Sequence, residues 1–313
     1  MLLRKVRKLN SSGVPENNIF SINQFTERGL DLLVDYYNAK YPDRGQIHRI
    51  RAVGILNHDP CGIFETPEKQ ILQMATLGIN ELKKNNPSPI KVMLTFLQKD
   101  TPKSDDPVER GRHSVPLLIT NEKLIMLRDD TRNPVVIRIL GDIAKNLSIS
   151  FIHQKEPAFN DKGNQTSIQS DYLNCDGIAI GILKDLTAED LSIVSAFENF
   201  YIPLPKMLKY SQSKNFILKN YPELANEPIK FNEDKTIKTT LIDYVRENSR
   251  YKVSNLETEQ EVKEKVSNRI SNKMDRMRQD MAELSPEDQS NWTKKILEKR
   301  MQERQSKKEE TER

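Results

Sequence analysis

The run Ile90-Lys91-Val92-Met93-Leu94-Thr95-Phe96-Leu97 constrains the fold more than any other stretch of the chain. A nearly continuous apolar segment of strand length marks a central strand. Further strand-like runs stand at Ile50 to Leu56, Ser114 to Thr120, Leu124 to Leu127 and Ser148 to His153. Helical stripes lie between them. Phe25 through Tyr41 carries Leu30, Leu33, Val34 and Tyr37 on one face, and Thr66, as N-cap before Pro67, opens a helix through Ile71, Met74, Ala75 and Ile79. Pro134 to Leu147 reads as a third helix, and Thr187-Ala188-Glu189-Asp190 as a capping box that starts one running to Phe197. Strands and helices alternating in this way predict an α+β architecture, a mixed sheet flanked by helices.

Three parts follow from the patterning. Residues 1–20 are polar, carry Ser11-Ser12-Gly13 and read as a disordered leader; residues 21–230 form the core; residues 231–313 are a charged helical extension. Between 261 and 313 there are 14 Lys+Arg and 12 Asp+Glu with sparse apolar residues, so any helix there has only a narrow apolar stripe. No apolar run reaches the roughly 18–20 residues of a membrane span, and the basic start Met1-Leu2-Leu3-Arg4-Lys5 lacks the apolar stretch of a Sec signal peptide. A net charge of +4 without an aromatic-interleaved basic patch gives no case for nucleic acid. Two cysteines and four histidines, with no Cys-x2-Cys or His-x3-His spacing, give none for a metal site. Gly-rich phosphate loops are absent.

The candidate chemistry lies in an ordered set: His113, then Asp129 or Asp130, then Gln169, then Cys175. A nucleophilic thiol needs a neighbouring imidazole and profits from a helix N-terminus. Cys175 directly precedes the apolar Ile178-Ala179-Ile180-Gly181-Ile182-Leu183, which reads as a buried helix. His113 opens a strand whose hairpin partner ends at the two aspartates, so either carboxylate can return to orient the imidazole. Gln169 lies near enough in sequence for its amide to stabilise an oxyanion. Papain-like enzymes place cysteine before histidine; here the order is reversed.

The pattern of His, hairpin, acid and Gln-x5-Cys resembles the clan that unites Ulp-type ubiquitin-like-protein proteases with the YopJ family of bacterial effector acetyltransferases. Asn38-Ala39-Lys40-Tyr41-Pro42 and the block Leu204-Pro205-Lys206-Met207-Leu208-Lys209-Tyr210-Ser211-Gln212-Ser213 are similar to segments of the YopJ branch. The resemblance spans about residues 20 to 225. It departs at Asp176, where the relatives usually have glycine directly after the cysteine, and at Tyr210, where the block more often has histidine.

The resemblance implies an Ulp/YopJ-like core and an acetyltransferase that moves acetyl from acetyl-CoA through a Cys175 thioester to a Ser, Thr or Lys of a host signalling protein. It implies delivery into the host cytoplasm by a specialised secretion system. It also implies inositol hexakisphosphate as an activating polyanion, for which Lys206, Lys209 and Lys214 are the candidate ligands. Two alternatives use the same chain differently: a ubiquitin-like-protein protease or deubiquitinase with the same triad, and a catalytically dead binding protein, to which Asp176 beside the thiol points.

Overall fold

The computed structural model describes residues 3–6, 22–25, 27–54, 65–98, 112–128, 134–154, 175–201, 203–211, 222, 225–232, 235–248, 268–269, 271–273, 275–276 and 279. In chain order the strands are β1 (Leu3–Val6), β2 (Ile22–Phe25), β3 (Ile47–Gly54), β4 (Ile90–Gln98), β5 (Arg112–Ile119), β6 (Lys123–Met126), β7 (Ser150–Gln154), β8 (Phe200–Tyr201), β9 (Pro228–Asn232) and β10 (Lys235–Thr240). The helices are α1 (Glu27–Lys40), α2 (Glu65–Asn85), α3 (Pro134–Asn146), α4 (Cys175–Asp185), α5 (Ala188–Ser195), α6 (Pro205–Leu208) and α7 (Leu241–Asn248).

Six strands form one sheet in the order β3-β4-β5-β6-β7-β8. The pairs β3/β4, β6/β7 and β7/β8 are parallel, whereas β4/β5 and β5/β6 are antiparallel. The fold is therefore α+β around a mixed sheet, as the alternation of runs requires. Parallel neighbours need a crossover; α2 supplies it between β3 and β4, and α3 between β6 and β7.

Strand alternation sorts the core into two layers. On one face Val92, Leu94 and Phe96 of β4, Val115 and Leu117 of β5 and Leu124 and Met126 of β6 pack with Ile71, Ala75 and Ile79 of α2 and Ile139, Leu140 and Ile143 of α3. On the other, Met93, Leu118, Ile125 and Ile152 meet Leu30 and Leu33 of α1, Ile178 and Ile182 of α4, Val194 and Met207. Helix α4 is buried almost all round because it lies in this second layer, and its sequence is accordingly apolar on every face.

Two strand lysines secure the helices of that layer. Lys91, 1% exposed, donates from Nζ to the carbonyls of Leu183 (2.9 Å) and Leu186 (2.7 Å) at the end of α4. Lys123 likewise donates to Ser195 and Phe197 at the end of α5. Each satisfies carbonyls that a helix C-terminus leaves unpaired and sets a cation at the negative end of its dipole. Thr187 caps α5 in a capping box with Asp190, as its sequence predicts.

Element boundaries shift for local reasons. β3 begins at Ile47 rather than Ile50, because the Asn38 side chain both accepts from Ile47 N (2.8 Å) and donates to Ile47 O (2.9 Å), fixing the strand's start. β7 begins at Ser150, two residues after the expected start, because Ser148 has φ 54°, a left-handed conformation that an extended strand excludes. α2 starts at Glu65, one residue before Thr66, and α5 stops at Ser195. Within the expected leader 1–20, Leu3–Val6 pair antiparallel with Ile22–Phe25; the rest of the leader lies outside the described residues. β9 and β10 form a hairpin that the patterning did not reveal. Beyond α7 only a few helical residues between 268 and 279 of the charged extension are described.

Candidate active site

Cys175 is the first residue of α4 and is 2% exposed, a buried thiol at the positive end of a helix. Helix N-termini favour the thiolate form of cysteine, so the element the sequence predicted after Cys175 is present and begins at the thiol itself. The remainder of the candidate triad is only partly in view. Asp129, Asp130 and Gln169 lie outside the described residues.

His113 is the second residue of β5, with Phe96 of β4 as its cross-strand partner. Alternation groups it with Val115 and Leu117, on the α2/α3 face, whereas its neighbour Ser114 faces α4. The link between His113 and Cys175 is Arg128, a residue that sequence reasoning passed over. Its guanidinium, 1% exposed, donates through Nη1 to the Cys175 carbonyl (3.4 Å) and through Nη2 to the Ser114 carbonyl (3.1 Å). Nη2 also stands 3.3 Å from His113 Nε2. A guanidinium has donors only, so Nε2 presents its lone pair there and the ring proton belongs on Nδ1.

Asp176 departs from the glycine of the resembling families, and the structure gives it partners. The carboxylate is 3% exposed and Oδ1 accepts from Ser114 Oγ at 2.5 Å, while Cys175 Sγ lies 4.0 Å from the same oxygen. Ser114 Oγ is 3.1 Å from Thr95 Oγ1, and Arg49 Nε donates to Thr95 Oγ1 at 3.4 Å. Arg49 is itself paired with Asp31 at 2.7 Å. Because Ser114 spends its only proton on Asp176, Thr95 donates to Ser114, and every bond of the chain points toward the carboxylate. One residue from each of three adjacent strands thus supports a buried carboxylate beside the thiol.

A second polar cluster lies at the other end of α4. Asp185 is 8% exposed and receives Lys184 (2.8 Å), Lys209 (2.7 Å), Arg44 (3.7 Å) and the Tyr210 hydroxyl (2.7 Å). Burial pushes its carboxyl up, but Lys184 and Lys209 overcome that and hold it well below the usual carboxylate range. Around it, cations lie over tyrosine rings: Lys40 over Tyr36 (5.0 Å), Arg44 over Tyr41 (4.5 Å), Lys184 and Lys273 over Tyr37 (5.6 and 5.9 Å), Arg269 over Tyr210 (5.8 Å). Burial raises the Tyr37 hydroxyl far above its ordinary value, against the opposing charge of Arg269. Gly181 makes room for Tyr210: a Cβ there would stand 2.7 Å from Tyr210 Cζ.

Of the three lysines expected to hold a polyanion, Lys209 is in this cluster. Lys206 is not: its Nζ pairs with Asp190 at 2.8 Å, within the capping box of α5. Lys214 lies outside the described residues. Lys40, Arg44, Lys184, Arg269 and Lys273 were missed. The available signal was the Asn38–Pro42 segment, whose Asn38 clamps β3 and whose Lys40 and Tyr41 belong to the cluster.

Fold and site together define an α+β protein with a buried cysteine at a helix start, bound through one guanidinium to a histidine-bearing strand. No family model matches the chain, and no curated protein matches it. Among solved structures, HopZ1a in complex with IP6 is similar at 11% identity over 77% of this chain and 84% of that chain, with a TM-score of 0.33. HopZ1a in complex with IP6 and CoA is similar at 10% identity over the same shares, with the same score. Likeness this weak does not bear on function. Among the described residues no group of three or more His, Cys, Asp or Glu is placed to hold a metal ion, and no helix is long and apolar enough to cross a membrane.

Proposed function

We propose that the chain is a YopJ-like acyltransferase that uses Cys175 as its nucleophile. The observation that carries the reading is the placement of Cys175 at the first residue of α4, with Arg128 joining it to the strand of His113. In the first half-reaction the His113 ring turns from the α2/α3 face round the open end of β5 to the thiol, Sγ attacks the thioester carbonyl of acetyl-CoA, His113 takes the thiol proton and returns it to the departing CoA sulfur, and acetyl-Cys175 results. In the second, a Ser or Thr hydroxyl or a Lys amine of a host protein attacks the acyl-enzyme while His113 takes its proton and passes it to the leaving Cys175 sulfur. Gln169 and backbone N–H groups are assigned to the oxyanion, and Asp129 or Asp130 to His113.

The activating polyanion, inositol hexakisphosphate in this reading, is assigned to the cation–tyrosine cluster at the end of α4, with Lys40, Arg44, Lys184, Lys209, Arg269 and Lys273 as its ligands. Six cations at one helix end with one buried carboxylate among them suit several phosphates at once. Secretion into a host cell belongs to the same reading.

The test is incubation of the purified protein with radiolabelled acetyl-CoA, with and without inositol hexakisphosphate, and in parallel with a ubiquitin activity probe. Label retained on wild type and lost in Cys175→Ala, but not in Cys61→Ala, is the expected result. Probe capture without acetyl label would replace the transferase by the protease; neither signal would leave a binding protein.

A further inference from the structure

We propose that Asp176 sets the acceptor class of this site: a lysine amine, rather than a serine or threonine hydroxyl, takes the acetyl group from Cys175. The proposal rests on the acyltransferase reading above and narrows its second half-reaction. Cys175 and Asp176 are the first two residues of α4 and are 2% and 3% exposed. The Cys175 thiol is a donor toward Asp176 Oδ1, with Sγ 4.0 Å away. A group that attacks the acylated sulfur's carbonyl therefore works within a few ångströms of a buried carboxylate. That carboxylate is held in place from the sheet. Ser114 Oγ of β5 donates to Oδ1, Thr95 Oγ1 of β4 stands 3.1 Å behind Ser114, and Arg49 Nε of β3 donates to Thr95.

Acylation changes what Oδ1 meets. A thioester sulfur carries no hydrogen, so the donation made by the resting thiol is lost when acetyl-Cys175 forms, and the side of Oδ1 that faced the thiol faces the incoming group. The two classes of acceptor differ in what they return to it. A hydroxyl has one hydrogen, which the base takes, and its oxygen is then set near the carboxylate with no donor between them. A neutral amine has two. One is handed on, the other donates to Oδ1, and the positive charge that builds on nitrogen as the N–C bond forms lies beside a negative group. In this step the N–C bond forms, the thioester C–S bond breaks, one amine hydrogen ends on the Cys175 sulfur, and Asp176 finishes as the carboxylate it was. Glycine, which the resembling families have at this position, supplies neither the charge nor the acceptor.

The test follows the second half-reaction alone. Enzyme in a Cys61→Ser background is loaded with radiolabelled acetyl-CoA in the presence of inositol hexakisphosphate and freed of excess donor. It is then chased with Nα-acetyl-lysine amide, Nα-acetyl-serine amide or Nα-acetyl-threonine amide, and the loss of hydroxylamine-labile label above the hydrolysis blank is timed. Amines attack thioesters faster than alcohols in any setting, so the deciding quantity is how the lysine-to-serine rate ratio changes in Asp176→Asn, which keeps the shape and loses the charge. The ratio should fall at least about tenfold, as expected for removing a unit charge ~4 Å from the reacting atoms. An unchanged ratio overturns the assignment. So does wild type that yields its label to the serine or threonine amide faster than to the lysine amide, a comparison that needs no variant. Wild type that takes no label on Cys175 sinks the acyltransferase reading and the acceptor assignment together, whereas label taken up but not passed preferentially to lysine sinks the assignment alone.

Discussion

Lys91→Met tests whether the buried lysine under α4 has the energetics its surroundings require. Burial, with the charge of Arg44 added, pushes the Lys91 ammonium down to about 8, against the weaker pull of Asp190 and Asp185. The unfolded chain keeps the ordinary ~10.4. Between these values the unfolded state binds more protons than the fold, so stability rises with pH across the window. Below about pH 8 the ionised amine costs the fold about 3 kcal/mol, at about 1.4 kcal/mol per pH unit of separation, and this cost is lifted as pH climbs toward ~10.4. From pH 7.5 to 9.5 wild type should therefore gain about 2 kcal/mol relative to Lys91→Met, in which nothing titrates at this position. At both pH values the variant also loses two hydrogen bonds, to the carbonyls of Leu183 and Leu186, which costs roughly 1–3 kcal/mol for each acceptor left buried. The assay is urea unfolding of both proteins at the two pH values; other groups titrate in both and cancel in the difference. A wild-type-minus-variant gap that stays constant with pH would refute the reasoning.

Gly181→Ala should destabilise the protein by roughly 1–3 kcal/mol through overpacking against Tyr210, and Tyr210→Phe by about 1 kcal/mol through the lost bond to Asp185; thermal melts that leave Gly181→Ala at wild-type stability would contradict the close approach. Asp185→Asn should lose stability at neutral pH, and because the folded carboxyl is held low, the difference from wild type should be full above ~4 and shrink as pH falls below it; acid titration followed by circular dichroism checks the direction. Asp130→Asn should cut acyl transfer by several orders of magnitude, as loss of the orienting acid does in other triads, with Asp129→Asn near wild type; the reverse ranking would transfer the role to Asp129. Charge-neutralising substitutions of Lys40 and Lys184 should weaken inositol hexakisphosphate binding in calorimetric titration more than Lys206→Gln, whose side chain is committed to Asp190.

The strands and helices of the sheet layer were legible because periodicity records which faces are covered. The run from Ile90 to Leu97 marked β4 as central, and the apolar wrap of Ile178 to Leu183 marked α4 as buried. The capping box at Thr187 was legible because its bonds are local. What stayed hidden depends on contacts between distant segments. Lys91 read as one polar residue in an apolar run, and only its position 92 residues before Leu183 in the chain, yet under that carbonyl in space, makes it a helix cap. Arg128 stood beside two aspartates that drew attention as triad candidates, and its own approach to His113 and Cys175 has no sequence signature. Lys206 and Lys209 are equivalent in composition; their different partners, Asp190 and Asp185, are set by the turn after α6.

The sheet places its strands side by side in the order in which they occur in the chain, from β3 to β8. Each new strand therefore finds its partner on the edge most recently completed, and loop closure between successive partners is short. A chain emerging from the ribosome can extend this sheet one strand at a time, without waiting for a distant segment to insert. The thiol layer follows a different schedule. Helix α1 is made early, yet the helical residues that share its core, from Ile178 in α4 to Leu241 and Val245 in α7, come more than a hundred positions later. The nascent protein thus has β3 to β7 in hand before it makes α4, α6 and α7, so the layer that holds Cys175 closes only after most of the sheet exists.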